Sequence, residues 1–322
     1  MSTQHSVQRL LESVRQRIVG QERLIQRLFT ALLADGHLLV EGAPGLAKTR
    51  AIQVLSSGME GSFCRIQFTP DLLPADLTGT EVFHPQDGSF TFHKGPLFHH
   101  LILADEINRA PAKVQSALLE AMGERQISVG SKTYLLPDLF LVMATQNPIE
   151  QEGTHPLPEA QLDRFLLLVR IGYPNASEEK AILRLVRGEA QHKQRGPAPI
   201  PERMSQTELF TARQEVLEVH LAENVEEYLL RLVLATRNPG KYGQDLASVL
   251  QYGASPRATI ALDRCARANA WLLGRDFVTP DDVKELLPDV LRHRIQLTYE
   301  AEASGLTIDR FVDLILARVP AP

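Results

Sequence analysis

The chain has 322 residues, and its 34 basic and 39 acidic side chains give a formal net charge of −5. Hydrophobic residues make up 44% and charged residues 23%, which is typical of a folded globular protein and excludes wholesale disorder. The length predicts about two domains, and the balanced charge excludes a global basic field that would hold nucleic acid.

Two cysteines, Cys64 and Cys265, lie far apart, and neither belongs to a C-x-x-C pair. We therefore expect neither a disulfide framework nor a Cys-rich zinc site. The N-terminal segment has no uncharged stretch for a secretory signal, and no apolar run approaches the length of a membrane span. These features favour a cytoplasmic protein.

Five short apolar segments in the first half predict β-strands, at 37–40, 63–68, 101–104, 139–144 and 165–169. Continuous apolar runs with polar ends are typical of parallel strands that are covered on both faces. Helical patterns lie between them, and this alternation predicts a doubly wound α/β domain.

Three further features belong to this half. A helix is predicted from Pro111 to Met122, with Gly123 as its C-cap. The long connection from 69 to 96 is of the kind that is more often functional than idle. Alternating residues around a glycine turn predict a β-hairpin over 126–135.

The second half carries helical patterns at 177–187, 206–219, 225–237, 257–273 and from 279. Ser255-Pro256 and Thr279-Pro280 each place a hydroxyl at an N-cap and a proline at the first helical position. The polar, proline-rich segment 191–201 is the best linker candidate. The sequence thus predicts an α/β domain over 1–190 and a helical domain over 191–322, with the boundary between 174 and 201.

A glycine-rich segment follows the first strand and opens a helix: Gly42-Ala43-Pro44-Gly45-Leu46-Ala47-Lys48-Thr49. It fits the phosphate-loop pattern G-x-x-x-x-G-K-[ST], except that Ala47 replaces the second glycine. Backbone N–H groups of such a loop converge on phosphate oxygens, Lys48 reaches the terminal phosphates and the Thr49 hydroxyl ligates Mg²⁺. Alanine is tolerable at position 47 if its φ is negative. The alternative is a plain glycine-proline turn.

Polar residues end the next two strands of interest. Asp105-Glu106 follows the third strand, where an aspartate can hold Mg²⁺ and the adjacent glutamate can polarise an attacking water. Asn147 follows the fourth strand and points to the same crevice. The alternatives are a solvated acidic turn and an Asn-Pro turn. The phosphate loop and the acidic pair together predict a nucleotide site.

These motifs, in this order, resemble those of the AAA+ ATPases, and their detailed sequences resemble those of the MoxR family. The matching segments are Glu41–Thr49, Ala104–Pro111, Ala144–Pro148, Leu157–Phe165 and Gly253–Ala258. In that family the alanine at position 47 is usual. The resemblance covers nearly the whole chain and implies a P-loop AAA+ domain with a central parallel five-stranded sheet, a smaller all-α lid domain, and ATP with Mg²⁺ as cofactors.

The resemblance also implies roles for single residues. Asn147 matches the sensor-1 position, Arg257 the sensor-2 position, and Arg164 the arginine finger that is offered to a neighbouring subunit. The residues themselves support the last role, because Arg164 precedes an apolar strand and so lies at the sheet edge away from Asp105. Arg109 is a rival for the trans-acting role, and simple surface ion pairs are the alternative for both Arg164 and Arg257.

The remaining family assignments concern segments. Ile18-Val19-Gly20-Gln21 resembles the segment near adenine, which makes Val19 and Gly20 binding candidates. The stretch from about 72 to 98 matches the helix-2 insert and 126–135 the pre-sensor-1 hairpin, both of which face the central pore in related rings.

The expected function is Mg²⁺-dependent ATP hydrolysis in a homo-oligomer, expected to be a hexameric ring, that remodels a client protein. The family often works with a von Willebrand factor A domain partner. The alternatives are a nucleic-acid motor of the MCM type and a magnesium-chelatase-like motor subunit. The hairpin carries one lysine, Lys132, and the net charge is −5, so nucleic acid is the less favoured partner.

Overall fold

The computed structural model describes residues 3–148, 153–192 and 203–322, so most of the linker predicted at 191–201 lies outside the described residues. The strands are β1 (Leu38–Glu41), β2 (Phe63–Gln67), β3 (Gly79–His84), β4 (Ser89–Lys94), β5 (Leu101–Asp105), β6 (Gln126–Val129), β7 (Lys132–Leu135), β8 (Leu141–Gln146), β9 (Leu167–Arg170), β10 (Leu250–Tyr252) and β11 (Gln296–Leu297). The helices are α1 (Thr3–Arg17), α2 (Glu22–Leu33), α3 (Lys48–Ser57), α4 (Pro74–Thr78), α5 (Ala112–Glu124), α6 (Glu159–Leu162), α7 (Ala176–His192), α8 (Gln206–Glu218), α9 (Glu223–Ala235), α10 (Pro256–Leu272), α11 (Pro280–Leu291), α12 (Tyr299–Ala303) and α13 (Ile308–Arg318).

The central sheet has five parallel strands in the order β2-β5-β8-β1-β9, which confirms the predicted fold class. Both faces of the sheet are covered. In β1, Leu38 and Val40 belong to the core that α1, α2 and the lid helices share, whereas Leu39 joins the core under α5. Alternate residues therefore enter different cores, and this is why the strands have continuous apolar sequences.

The lid is helical apart from one short antiparallel pair, β10 and β11. Both predicted N-caps are confirmed. The Ser255 Oγ accepts from the Arg257 N–H at 3.1 Å, and the Thr279 side chain forms a capping box with Asp282. Helix α10 packs against α2 and α11, so the lid is joined to the α/β domain through buried contacts.

Helix α5 ends later than predicted, because it continues through Gly123 to Glu124. The left-handed C-cap is Arg125, with φ 52°, and the prediction that Gly123 fills this role is wrong. The Arg125 guanidinium holds this turn by an ion pair with Asp35 at 2.6 Å. Gly123 has a different use, since a Cβ there would collide with the guanidinium of Arg164.

The insert and the second hairpin form one unit. Strands β3 and β4 pair antiparallel within the insert, and β6 pairs with β7. The rings of Phe92 and Tyr134 stack with centroids 4.0 Å apart, and Lys132 pairs with Glu81 at 3.3 Å. The two hairpins are thus fastened to each other by one stacked pair and one ion pair. In the described residues, no helix is both long and apolar enough to cross a membrane.

Candidate nucleotide site

Three strand ends meet at the carboxyl edge of the sheet, since β8 lies between β5 and β1. The predicted phosphate loop leaves β1, Asp105 ends β5, and buried Asn147 directly follows β8. The Gly42 N–H donates to the Gln146 carbonyl at 3.4 Å and joins the loop to β8. The structure therefore brings together three motifs at the edge where parallel sheets bind ligands. In the sequence, 57 residues separate Lys48 from Asp105 and 42 separate Asp105 from Asn147.

The phosphate loop is shaped by two glycines and a lysine. A Cβ on Gly42 would collide with Ile171, so the loop starts where only glycine fits. Gly45 has φ 84° and faces open space, as expected of backbone that must approach a ligand. The Lys48 Nζ donates to the Gly42 carbonyl at 2.7 Å. This hydrogen bond lays the ammonium group across the loop.

Ala47 adopts a left-handed conformation, with φ 59° and ψ 17°. The condition under which alanine would be unstrained at this position, a negative φ, is therefore not met. The physical reason is that the loop must turn into α3 at the residue before Lys48, and this turn needs the conformation that glycine adopts freely. For a residue with a Cβ, this left-handed conformation costs about 1–2 kcal/mol. The strain is local and lies directly against the proposed phosphate site.

Glu106 is strained in the same way, with φ 57° and ψ 50°, and one buried side chain holds it there. The Thr145 Oγ1 donates to Asp105 Oδ1 at 2.6 Å and accepts from the Glu106 N–H at 2.9 Å. Thr145 is 1% exposed. A single hydroxyl thus orients both acidic residues, and the sequence prediction missed it, although its place at the end of a strand beside Gln146 and Asn147 was visible.

Strand β2 adds polar side chains that contact the acidic pair. Arg65 pairs with Asp105 at 2.7 Å, and Gln67 Nε2 donates to Glu106 Oε2 at 2.8 Å. The register explains the contacts, because β2 lies beside β5 and Gln67 is opposite Asp105. The sequence prediction missed Arg65 and Gln67, because sequence patterns do not predict which strands become neighbours in the sheet.

The Asp105 carboxylate and the Thr49 hydroxyl supply hard oxygen atoms, which are the ligands that Mg²⁺ prefers. Asp105 is 8% exposed at the end of its strand, and Thr49 is partly exposed on the first turn of α3. These two residues fit the ion that the sequence predicts. Arg109, the rival for a trans-acting role, lies 3.4 Å from Glu106 of its own chain.

The segment with Val19 and Gly20 lies against the loop helix and the chain that follows β9. Gly20 has φ 76° and is packed against Pro174 and Glu178. The Arg50 side chain of α3 donates to the Arg17 carbonyl at 2.9 Å. The segment therefore lies beside the helix that follows the phosphate loop, and its contact with the base of a bound nucleotide stays a prediction.

Arg164 lies at the other edge of the sheet, just before β9, and Arg257 of α10 lies near the residue that precedes it. The Arg164 Nη1 donates to the Leu119 carbonyl at 2.5 Å, and Arg257 Nη1 lies 3.9 Å from Oδ2 of the adjacent Asp163. The length of β9, about 13 Å for four residues, separates this edge from the one where the phosphate loop begins. Arg164 therefore precedes the strand at the edge away from the phosphate loop, and Arg257 is placed near that edge by its distance to Asp163.

Comparisons with known proteins agree with this geometry. The family described as "ATPase family associated with various cellular activities (AAA)" matches residues 37–167, and the AAA lid domain matches 245–315. Over 320 residues the chain is 43% identical to Chaperone MoxR1 of Mycobacterium tuberculosis, covering 99% of this chain and 83% of that protein. The chain belongs to the MoxR family of AAA+ ATPases.

Two further relatives of this MoxR-family chain span almost its whole length. Protein MoxR of Methylorubrum extorquens is 32% identical over 325 residues, covering 95% of this chain and 92% of that protein. A crystal structure of a protein from Cytophaga hutchinsonii has a TM-score of 0.90 and 44% identity, covering 99% of this chain and 96% of the other. The matched AAA segment contains the phosphate loop, the acidic pair, Asn147 and Arg164, and the matched lid contains Arg257.

Proposed function

We propose that this MoxR-family protein hydrolyses ATP with Mg²⁺ at interfaces between copies of itself. One observation carries the proposal. The phosphate loop and the acidic pair share one edge of the sheet, whereas Arg164 precedes β9 at the opposite edge and Arg257 lies 3.9 Å from the adjacent Asp163. A single chain therefore holds two half-sites, and a second copy can bring them together.

Each residue of the nucleotide half-site has a distinct role. Lys48 binds the β- and γ-phosphates, and Thr49 with Asp105 holds Mg²⁺, which neutralises charge on the phosphates. Glu106 polarises the attacking water, and Asn147 orients it or contacts the γ-phosphate. Thr145 fixes the strained Glu106 backbone, so the carboxylate is oriented before a nucleotide arrives.

The arginine half-site acts on the neighbouring copy. Arg257 is 56% exposed along its side chain, and its nearest carboxylate is that of Asp163 at 3.9 Å, beside Arg164. Together with Arg164 it would stabilise charge that develops on the transferred phosphoryl group, a role worth about 10³–10⁵ in rate for a single arginine. A closed ring, which we propose to be hexameric, gives every nucleotide such a neighbour.

We propose that hydrolysis remodels a client protein that the two hairpins contact. Phe83 and Phe90 lie against each other on the insert with centroids 5.0 Å apart, and they are 51% and 60% exposed. Segments 79–94 and 126–135 together contain two lysines and two acidic residues, and this balance of charge suits a polypeptide better than a phosphate backbone. A von Willebrand factor A domain partner and a cytoplasmic location belong to the same proposal.

The test separates binding from the contribution of the neighbour. Lys48→Ala should lose affinity for a fluorescent ATP analogue, and Arg164→Ala should bind the analogue but turn ATP over slowly. Each variant alone should have little or no ATPase activity, but mixing them creates interfaces where an intact Lys48 faces an intact Arg164. Partial recovery of ATPase supports the shared site, and no recovery in assemblies shown to be mixed contradicts it.

A second assay addresses the nucleic-acid alternative. ATPase rates with and without single-stranded DNA at physiological salt should be equal for a protein remodeller. A several-fold stimulation by DNA would favour the helicase reading instead.

A further inference from the structure

Three consecutive residues after α11 fasten the lid to the start of β9. Arg292 Nη1 donates to the Leu168 carbonyl at 2.7 Å, and His293 Nε2 lies 2.9 Å from the Phe165 carbonyl. Arg294 Nη2 donates to the same Phe165 carbonyl at 2.6 Å. These bonds attach the lid to the segment that begins with Arg164.

Of these three residues, Arg294 also contacts Asp163, which directly precedes Arg164. Its side chain is 2% exposed, and its Nε donates to Asp163 Oδ1 at 2.8 Å. The other carboxylate oxygen, Oδ2, accepts from the Ser255 Oγ at 2.8 Å and lies 3.9 Å from Arg257 Nη1. Asp163 therefore links the lid arginine, the cap of α10 and one of the two trans-acting arginines.

Both proposed trans-acting arginines lie close to this carboxylate, one along the chain and one in space. Arg164 is the next residue in the chain, and Arg257 lies on the first turn of the helix that Ser255 caps. Burial lowers the pKa of Arg294, but a guanidinium stays charged in proteins. A charged donor buried against Asp163 fixes the direction of the carboxylate more firmly than the exposed Arg257 could.

We propose that Arg294, acting through Asp163, is a positioning residue for Arg164 and Arg257, and that it serves the active site of the neighbouring copy. The inference rests on the proposed shared site and adds a lid residue to it. Without Arg294, the Asp163 carboxylate turns toward Ser255 and Arg257, and both arginines shift. A displacement of about 1 Å near a reacting centre can cost about 10²-fold in rate.

The first measurement uses Arg294→Met, which keeps most of the side-chain volume, and Arg294→Lys, which keeps the charge. Arg294→Met should bind the ATP analogue normally and hydrolyse ATP about 10- to 10²-fold more slowly, and Arg294→Lys should regain part of the rate. Arg318→Met is the matched control, since it removes another lid ion pair, with Asp245 at 2.7 Å, and should keep the wild-type rate.

Mixing distinguishes a trans role from a merely structural one. Arg294→Met damages the arginine half-site and keeps its own phosphate loop, so mixing with Lys48→Ala should restore activity. Mixing with Arg164→Ala should restore none, because both variants lack the same half-site. If Arg294→Met does not fold, Asp163→Asn carries the same test, because it weakens the same link while keeping the shape.

The outcomes separate the two proposals. If Arg164→Ala and Lys48→Ala recover activity together but Arg294→Met and Lys48→Ala do not, the positioning role is wrong and the shared site stands. Recovery of Arg294→Met with Arg164→Ala would also overturn it, since the two defects would then lie in different half-sites. If neither pairing with Lys48→Ala recovers, the shared site itself fails.

Discussion

Removing the Thr145 hydroxyl offers the sharpest test, because this one group makes a hydrogen bond to each residue of the acidic pair. Thr145→Val removes the hydroxyl and keeps the shape. The Asp105 carboxylate then loses a donor at 2.6 Å, and the Glu106 N–H loses its acceptor at 2.9 Å. Glu106 also loses the bond that stabilises its left-handed backbone.

The magnitude follows from these contacts. A hydrogen bond to a charged group is worth about 1.5–3 kcal/mol, and an unpaired buried N–H costs about 1–3 kcal/mol. Since Thr145 is 1% exposed, water does not readily replace the hydroxyl. We therefore expect the free energy of unfolding to fall by about 2–4 kcal/mol. The ATPase rate should fall as well, because the Glu106 backbone that aims the carboxylate loses the hydrogen bond that holds it.

Thr145→Ser is the matched control, since it keeps the hydroxyl and loses a methyl group worth about 1 kcal/mol. Urea unfolding gives the stability of both variants, and steady-state ATP turnover gives the activity. Equal unfolding free energies and equal turnover for the two variants would refute the reasoning, because the hydroxyl would then hold neither acidic residue.

Three further predictions concern the backbone and a buried histidine. Gly123→Ala should leave the free energy of unfolding unchanged or raise it by up to about 1 kcal/mol, yet slow ATP hydrolysis, because the added methyl group displaces the Arg164 guanidinium. Unfolding curves and ATPase rates check this, and a fall in stability at full activity would contradict it. Ala47→Gly should keep binding of the ATP analogue and Ala47→Val should lose it, since φ 59° strains a branched residue most; equal affinities would contradict the strain. Burial, then the charge of Arg125, lowers the pKa of His37 from 6.5 to about 4. The unfolded chain therefore takes up the proton first, and this contribution to stability is intact above pH 6.5 and declines down to pH 4. Between pH 7 and pH 5 the loss of unfolding free energy amounts to about 2 kcal/mol. Urea unfolding of His37→Gln should therefore show a shallower pH dependence than the wild type, and an equal dependence would contradict the assignment.

The sequence predicted those parts of the molecule that local patterns encode. Buried parallel strands are continuous apolar runs, and all five appear in the sheet. The phosphate loop and Asp105 each stand at a strand end, so parallel pairing alone brings them to one edge. The caps at Ser255 and Thr279 are likewise local, since each needs only a hydroxyl and a free N–H nearby.

Other features depend on which elements become neighbours, and no local pattern encodes that. Arg65 reaches Asp105 because β2 pairs with β5. Gly123 has the sequence signature of a helix C-cap, but in the fold it leaves room for the Arg164 guanidinium. Arg257 matched a family position, but its proximity to Asp163 depends on how the lid packs on the sheet.

ATP turnover by Glu106→Gln tests the central claim most directly. The substitution keeps the shape of the side chain and its contact with Gln67, and removes the carboxylate that polarises water. Wild-type protein should hydrolyse ATP in the presence of Mg²⁺, and Glu106→Gln should bind ATP with similar affinity but turn it over at least about 10²-fold more slowly. Hydrolysis by Glu106→Gln at the wild-type rate, or no hydrolysis by the wild-type protein, would contradict the account.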